Sequence, residues 1–187
     1  MIFLVANLFA QTNEKKGYIG IVLGPSFPVS DFGDNSIKNK NAGYAKTGYS
    51  DSFINFGYRL GKNFGISASV FFSSYDVDTT ATGYWWEVMG ITAGPMLSIP
   101  VSDKLFFDMK LNFGFVGADY IIDGFSYDEN VGSGLGSDIR ASLRYNLFRR
   151  WCFIIESSFL SSNQKFLGGR EKKIQNINLG LGIAFRI

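Results

Sequence analysis

The sequence predicts an all-β protein: a closed, eight-stranded, antiparallel, up-and-down transmembrane β-barrel. Three observations predict it. Long stretches alternate apolar and polar residues with a period of two. In Leu105–Phe115, for example, Leu105, Phe107, Met109, Leu111, Phe113 and Phe115 take one parity, and Phe106, Asp108, Lys110, Asn112 and Gly114, mostly polar, the other. Successive side chains on a strand point to opposite faces, so each stretch has an apolar face and a polar one. The connections between stretches run alternately long and short, the pattern of a transmembrane meander. No helical segment covers the apolar faces, and no internal apolar run reaches the roughly 18 residues of a transmembrane helix. Lipid is what remains to cover them, with the polar faces turned inward.

Taken in order, Met1–Ala10 (MIFLVANLFA) is a short apolar run before the polar TNEKKG, and it reads as the core of a secretory signal cleaved after Ala10. Residues 11–16 form a polar leader and residues 17–187 the barrel. The first strand runs from about Tyr18 to Phe27, weakened at its end by Pro25 and Pro28, which cannot donate to a ladder. Ser30–Lys46 is a polar loop. The second strand, Tyr49–Leu60, turns through GKN at 61–63 into the third, Phe64–Tyr75, and Asp76–Gly83 is again a polar loop. The fourth, Trp85–Val101, turns through SDK at 102–104 into the fifth, which starts at Leu105 and reaches about Ile122. A glycine-rich acidic loop, Asp123–Ser133, leads to the sixth strand, which carries Asp138, Arg140 and Arg144 on its polar face and ends at Phe148. RRW at 149–151 turns into the seventh, with Phe153, Ile155 and Phe159 opposite Cys152, Glu156, Ser158 and Ser162. Asn163–Lys172 is the last long loop, and the eighth strand alternates to Ile187.

A lipid-spanning sheet must close, because hydrocarbon satisfies no open edge, and eight strands enclose a space that side chains just fill. The inward residues are odd-numbered on strands two and three and even-numbered on the next five. Cross-strand partners must face the same way, so paired residue numbers sum to an even value and each short turn has an odd length. Three residues is the common choice. Asn63 suits the left-handed third position of such a turn and Trp151 does not. This register places Asp108 opposite Ser98, and Arg144 opposite Glu156.

Composition narrows the function. The chain has 187 residues, 46% of them hydrophobic and 17% aromatic, with 19 Phe, 22 Gly and a net charge of +2. That charge is too small, and no basic cluster is interleaved with aromatics, for nucleic acid to be a partner. The one cysteine, Cys152, excludes an internal disulfide and reads as a small buried hydrophobe. The complete lack of histidine excludes Ser-His-Asp and Cys-His catalysis and histidine-type zinc sites.

Aromatics collect near both expected membrane borders: Tyr84, Trp85, Trp86 and Tyr120 beside the long loops, and Tyr58, Phe106, Tyr145, Phe148 and Trp151 beside the short turns. With this pattern over residues 17–187 the chain resembles the small OmpA/OmpX-type outer-membrane barrels of the porin-like outer membrane protein β-barrel class. The resemblance implies a bacterial outer-membrane location, long loops extracellular and both termini periplasmic. It also implies insertion by the barrel-assembly machinery, contact with outer-membrane lipids and lipopolysaccharide, a monomer and no cofactor. Phe185-Arg186-Ile187 keeps the alternation of the terminal assembly signal of such barrels. Enzymes among them, the lipid A acylases and deacylases and the barrel proteases, rely on histidine, so the resemblance implies no enzyme here.

Two sets of residues are candidates for function. Arg59, Asp108, Lys110, Asp138, Arg140, Arg144, Glu156 and Arg186 form a lumen charge network, either a self-compensating polar plug or the lining of a transport path. Lys165, Arg170, Lys172 and Lys173 are candidates for lipopolysaccharide phosphate contact. Asp119, Asp123, Asp128 and Glu129 lack the ligand spacing of a calcium loop and read as a solvated acidic loop, so no metal site is expected. The expected function is a structural or surface-interaction barrel acting through its long loops, the alternative a narrow porin-like channel for small solutes. A soluble carrier of lipocalin type would need the opposite polarity, apolar inside and polar outside.

Overall fold

In the structure, a computed structural model describing residues 15–78, 83–122, 125, 130–167 and 169–187, the alternating stretches form β1 (Gly17–Pro28), β2 (Gly48–Arg59), β3 (Phe64–Asp76), β4 (Tyr84–Pro100), β5 (Leu105–Ile122), β6 (Val131–Asn146), β7 (Trp151–Phe166) and β8 (Glu171–Arg186). The signal segment lies outside the described residues. Each strand pairs antiparallel with its chain neighbour, and β8 returns to β1 to close the barrel. Gly17 and Ile187 exchange backbone hydrogen bonds of 3.0 and 2.9 Å where the two chain ends meet.

The outer face carries an apolar belt on every strand, including Ile21, Ile54, Ile66, Ile91, Leu111, Leu135, Ile155 and Leu181, with Leu135 and Phe115 exposed to 70% and 72%. Ser67, Thr92, Asn112, Asp138, Glu156 and Asn176 are buried inside. A soluble monomer exposes apolar patches of a few hundred Å² at most. A continuous belt around a closed sheet is therefore a lipid-facing surface, and the barrel spans a membrane.

Two of the three short turns have the expected register: Arg59 pairs with Gly65 and Ser98 with Asp108. The third does not. Arg144 pairs with Ile154, and Glu156 with Ser142, so Arg144 and Glu156 are not opposite each other. The turn still holds three residues, but they are Phe148, Arg149 and Arg150, closed by Leu147 N–H donating to Trp151 O at 3.0 Å. Trp151 instead opens β7, where its ring packs edge-on against Phe185, centroids 5.5 Å apart. The slip is two residues, so every side chain keeps its face and only its level changes. Left-handed geometry plays no part in these turns, since Ser30 and Tyr44 are the positive-φ non-glycine residues among those described.

Three further expectations are corrected. The inward parity of β2 is odd only below Ser52. Phe53 is an extra residue in the pairing with β3, so Ser50 and Ser52 face inward above it and Asn55 and Arg59 below. The last connection is short: β7 and β8 remain paired out to Lys165↔Glu171, Phe166 N–H donates to Arg170 O at 2.9 Å, and Gly169 has a φ of 74°. Proline does not shorten β1, which keeps Pro25 and Pro28 in pairs with Tyr49 and Asn176. Proline lacks only a donor; its carbonyl still accepts.

The connection after β1 is not a free polar loop. A single 3-10 turn, Ser30–Phe32, places the Phe32 ring wholly inside the barrel mouth. There it meets Tyr75 and Trp86 edge-on at 5.1 and 5.9 Å. Tyr84, Trp86, Tyr120 and Phe106 thus point inward and do not belong to a lipid-facing girdle, as their even numbers on β4 and β5 require. Trp85, Tyr58, Tyr145, Phe148 and Trp151 remain at the borders.

Candidate functional site: the lumen and its two ends

The interior is layered. At the end that carries the longer connections, Phe32, Phe71, Tyr75, Trp86, Val88, Phe166 and their neighbours form an apolar cluster. Toward the short turns, Tyr18, Val22, Met96, Cys152, Ile154 and Ala184 form a second one. Between them lies the charged layer. The expected wholly polar lumen is therefore corrected, because eight strands bring opposite walls close enough for aromatic rings to meet across the barrel. Glycines make the room: a Cβ on Gly57 would lie 2.8 Å from the Tyr18 ring, and one on Gly90 2.6 Å from Phe71.

The charged layer centres on Glu156, which is 4% exposed. Its carboxylate accepts from Asn55 Nδ2 at 2.8 and 2.9 Å, from Lys110 Nζ at 3.0 Å and from Arg140 Nη1 at 2.9 Å. Lys110 also donates to Asn55 Oδ1 at 2.6 Å, and Arg140 Nε to Asp138 Oδ2. Lys110 and Arg140 against Glu156 and Asp138 leave no net charge, the condition under which ions tolerate burial. A void of about 20 Å³ beside this layer, lined by Ser50, Ser52, Arg140, Glu156, Ser158 and Asn178 among others, has room for a single water.

The remaining members of the expected network lie elsewhere. Arg144 bonds Asp108 Oδ2 at 3.0 Å and stacks over Phe106 and Tyr18 at 4.5 and 4.7 Å. The Arg59 guanidinium also lies over Phe106, 5.3 Å from the ring centre. Arg186 lines a recess at the turn end with Lys15, Arg149 and Arg150. Asn55 is the member that sequence reasoning passed over. Its inward parity was legible, but its place beside Lys110 depends on strand tilt.

The loop end holds a recess of about 610 Å³, with Tyr44, Trp86, Tyr120 and Phe166 on its walls and Lys40, Arg170 and Lys172 around it. Of the four candidate phosphate contacts, Lys165 is exposed and lies 3.7 Å from Glu171. Lys172 is turned into the mouth, donating to Ala42 O at 2.6 Å with its Nζ 5.5 Å from the Trp86 ring. Arg170 and Lys173 are exposed. Asp123, Asp128 and Glu129 lie outside the described residues, and no metal-binding cluster occurs among the described residues.

A closed meander of eight strands, apolar outside and packed within, defines a small transmembrane β-barrel of the outer-membrane type. Neisserial surface protein A has this fold, with a TM-score of 0.64 at 12% identity, covering 91% of this chain and 97% of that one. So does Ail, the attachment invasion locus protein of Yersinia pestis, solved in complex with the heparin analogue sucrose octasulfate: TM-score 0.53, 17% identity, 92% and 99% covered. OprG from Pseudomonas aeruginosa gives 0.50 at 13% identity, with 92% and 98% covered. The sequence matches no protein-family model and no curated protein. The likeness is one of fold.

Proposed function

We propose that this protein is a non-catalytic outer-membrane barrel that acts through the surface at its loop end and passes no solute. The observation that carries the reading is the buried Lys110–Glu156–Arg140 layer. It closes the lumen between two apolar clusters and leaves a void of about 20 Å³ beside it. A conducting path would have to break these ion pairs. On this reading the chain is inserted as a monomer by the barrel-assembly machinery, with its longer connections outside the cell and both termini periplasmic. Arg170 and Lys173, with Lys165, lie where lipopolysaccharide phosphates would meet them, while Lys172 is held in the mouth by Ala42.

Purified protein in planar bilayers tests the closed lumen. The expected result is no discrete conductance steps. Steps that persist in independent preparations and change size in Glu156→Gln would establish the narrow conduit instead. Protease sites inserted at Lys38 and at Lys62 test orientation: cleavage in intact cells is expected at Lys38 only, and the reverse pattern would invert the topology.

A further inference from the structure

We propose that the turn end of the barrel binds the phosphate headgroup of an anionic glycerophospholipid through Lys15, Arg149 and Arg150, over a floor that includes Arg186. These four cations line one recess of about 480 Å³, and no acidic side chain is among the described residues that line it. The three short turns contain Lys62, Lys104, Arg149 and Arg150 but a single acid, Asp103. At the loop end, acids accompany the cations, as in Lys46–Asp78 at 2.9 Å and Lys165–Glu171 at 3.7 Å.

The cluster is held in place. Lys15 Nζ donates to Arg186 O at 2.9 Å and lies 5.3 Å from the centre of the Phe185 ring, while the Arg150 guanidinium lies 5.9 Å from the same ring. Phe185 is in turn packed by Trp151. Loss of solvation, and then repulsion from Arg150, Arg186 and Arg149, lower the Lys15 pKa from its ordinary value. A bound anion would relieve that repulsion.

Its level along the barrel names the anion. Tyr145 and Trp151 are exposed on the outer wall at this end and Phe148 in its turn, and aromatic girdles of transmembrane barrels sit at headgroup depth. The anion that a membrane supplies at that depth is a lipid phosphodiester. A guanidinium takes phosphate oxygens in a two-pronged hydrogen bond that a point charge cannot make. The site faces the opposite end from any lipopolysaccharide contact, and it does not depend on what the loop end binds.

The test uses the whole barrel reconstituted in phosphatidylcholine bilayers with trace spin-labelled lipid. The fraction of motionally restricted label is measured for phosphatidylglycerol, phosphatidylcholine and lipid A. The expected result is a preference for phosphatidylglycerol over phosphatidylcholine that weakens with salt. Arg149→Gln/Arg150→Gln should lower it roughly fivefold or more, the worth of a basic residue at an anionic surface. Lys38→Gln/Lys40→Gln, at the loop end, should leave it unchanged. Heat-modifiable gel mobility verifies folding, and Lys15→Gln, outside the strands, provides a second variant. Unchanged preference in the folded arginine or lysine variants, or equal loss in the loop-end variant, overturns the site. Competition by soluble glycerophosphate at low millimolar concentration would reassign it to a free anion, and stronger retention of lipid A would reject the glycerophospholipid.

Discussion

Replacing Glu156 by leucine removes the carboxylate shared by Lys110 and Arg140 and strips four hydrogen bonds from the centre of the barrel. Lys110 is 3% exposed and Arg140 4%, so neither can reach bulk water from its place. Arg140 keeps Asp138, whereas Lys110 keeps the neutral Asn55 Oδ1 and the face of the Tyr18 ring at 5.4 Å. Breaking a buried pair from one side costs about 3–5 kcal/mol, which is roughly two to three and a half orders of magnitude in the folding constant. Lys110→Met alone should cost less, because Arg140 and Asn55 still satisfy Glu156. The double variant Lys110→Met/Glu156→Leu leaves Arg140 paired to Asp138 and should recover much of the loss, giving a coupling of about 1–3 kcal/mol. Urea unfolding from lipid vesicles measures each corner of the cycle. Arg144→Leu/Glu156→Leu is the companion control: Arg144 bonds Asp108 on another level, so that pair should couple far more weakly. Strict additivity for Lys110 and Glu156, or equal coupling for Arg144 and Glu156, would refute the charge layer described.

Leu111 faces lipid between Lys110 and Asn112, so Leu111→Arg should destabilise the folded barrel by about 2–4 kcal/mol, seen as a lower folded fraction by heat-modifiable mobility. Tolerance equal to that of Leu111→Ala would contradict the strand phase. Phe32→Ala should cost about 3–5 kcal/mol and release the segment around Ser30–Lys46 to protease while β1 and β2 stay protected. Unchanged cleavage would mean that Phe32 does not hold it. Asp34 and Asp78 are held below the ordinary carboxyl range, Asp34 by the Asn39 amide and the Ser36 N–H, Asp78 by bonds from Lys46 and Asn35. A lowered folded value means that these bonds contribute above about pH 3.9 and are lost as pH falls through the folded values. Hydrogen exchange at Gly43 and Tyr44, corrected for intrinsic rates, should accelerate below roughly pH 4, and less so in Asp34→Asn. Flat protection down to pH 2 would exclude this coupling.

Residue patterning alone sets the number of strands, their direction, the closed barrel and the face on which nearly every residue lies. Parity needs only neighbours two apart, and the demand that lipid meet no open edge leaves one way to finish the sheet. Glu156, Lys110, Arg140 and Asp138 were legible as inward charges for that reason. Their partners were not. Arg144 meets Asp108 and not Glu156 because the third turn slipped by two residues, a shift that parity cannot detect and that Trp151 packing on Phe185 accompanies. The extra residue at Phe53 reversed the upper half of β2, and a bulge is a property of two strands together. Asn163 to Lys172 looks polar enough for a loop, yet Gln164 and Ile174 are buried and the ladder continues through them, because inward positions near the mouth join the cluster of Phe32 and Trp86. Which charges touch across a closed barrel depends on the summed stagger of eight strands, and only the tertiary structure decides that sum.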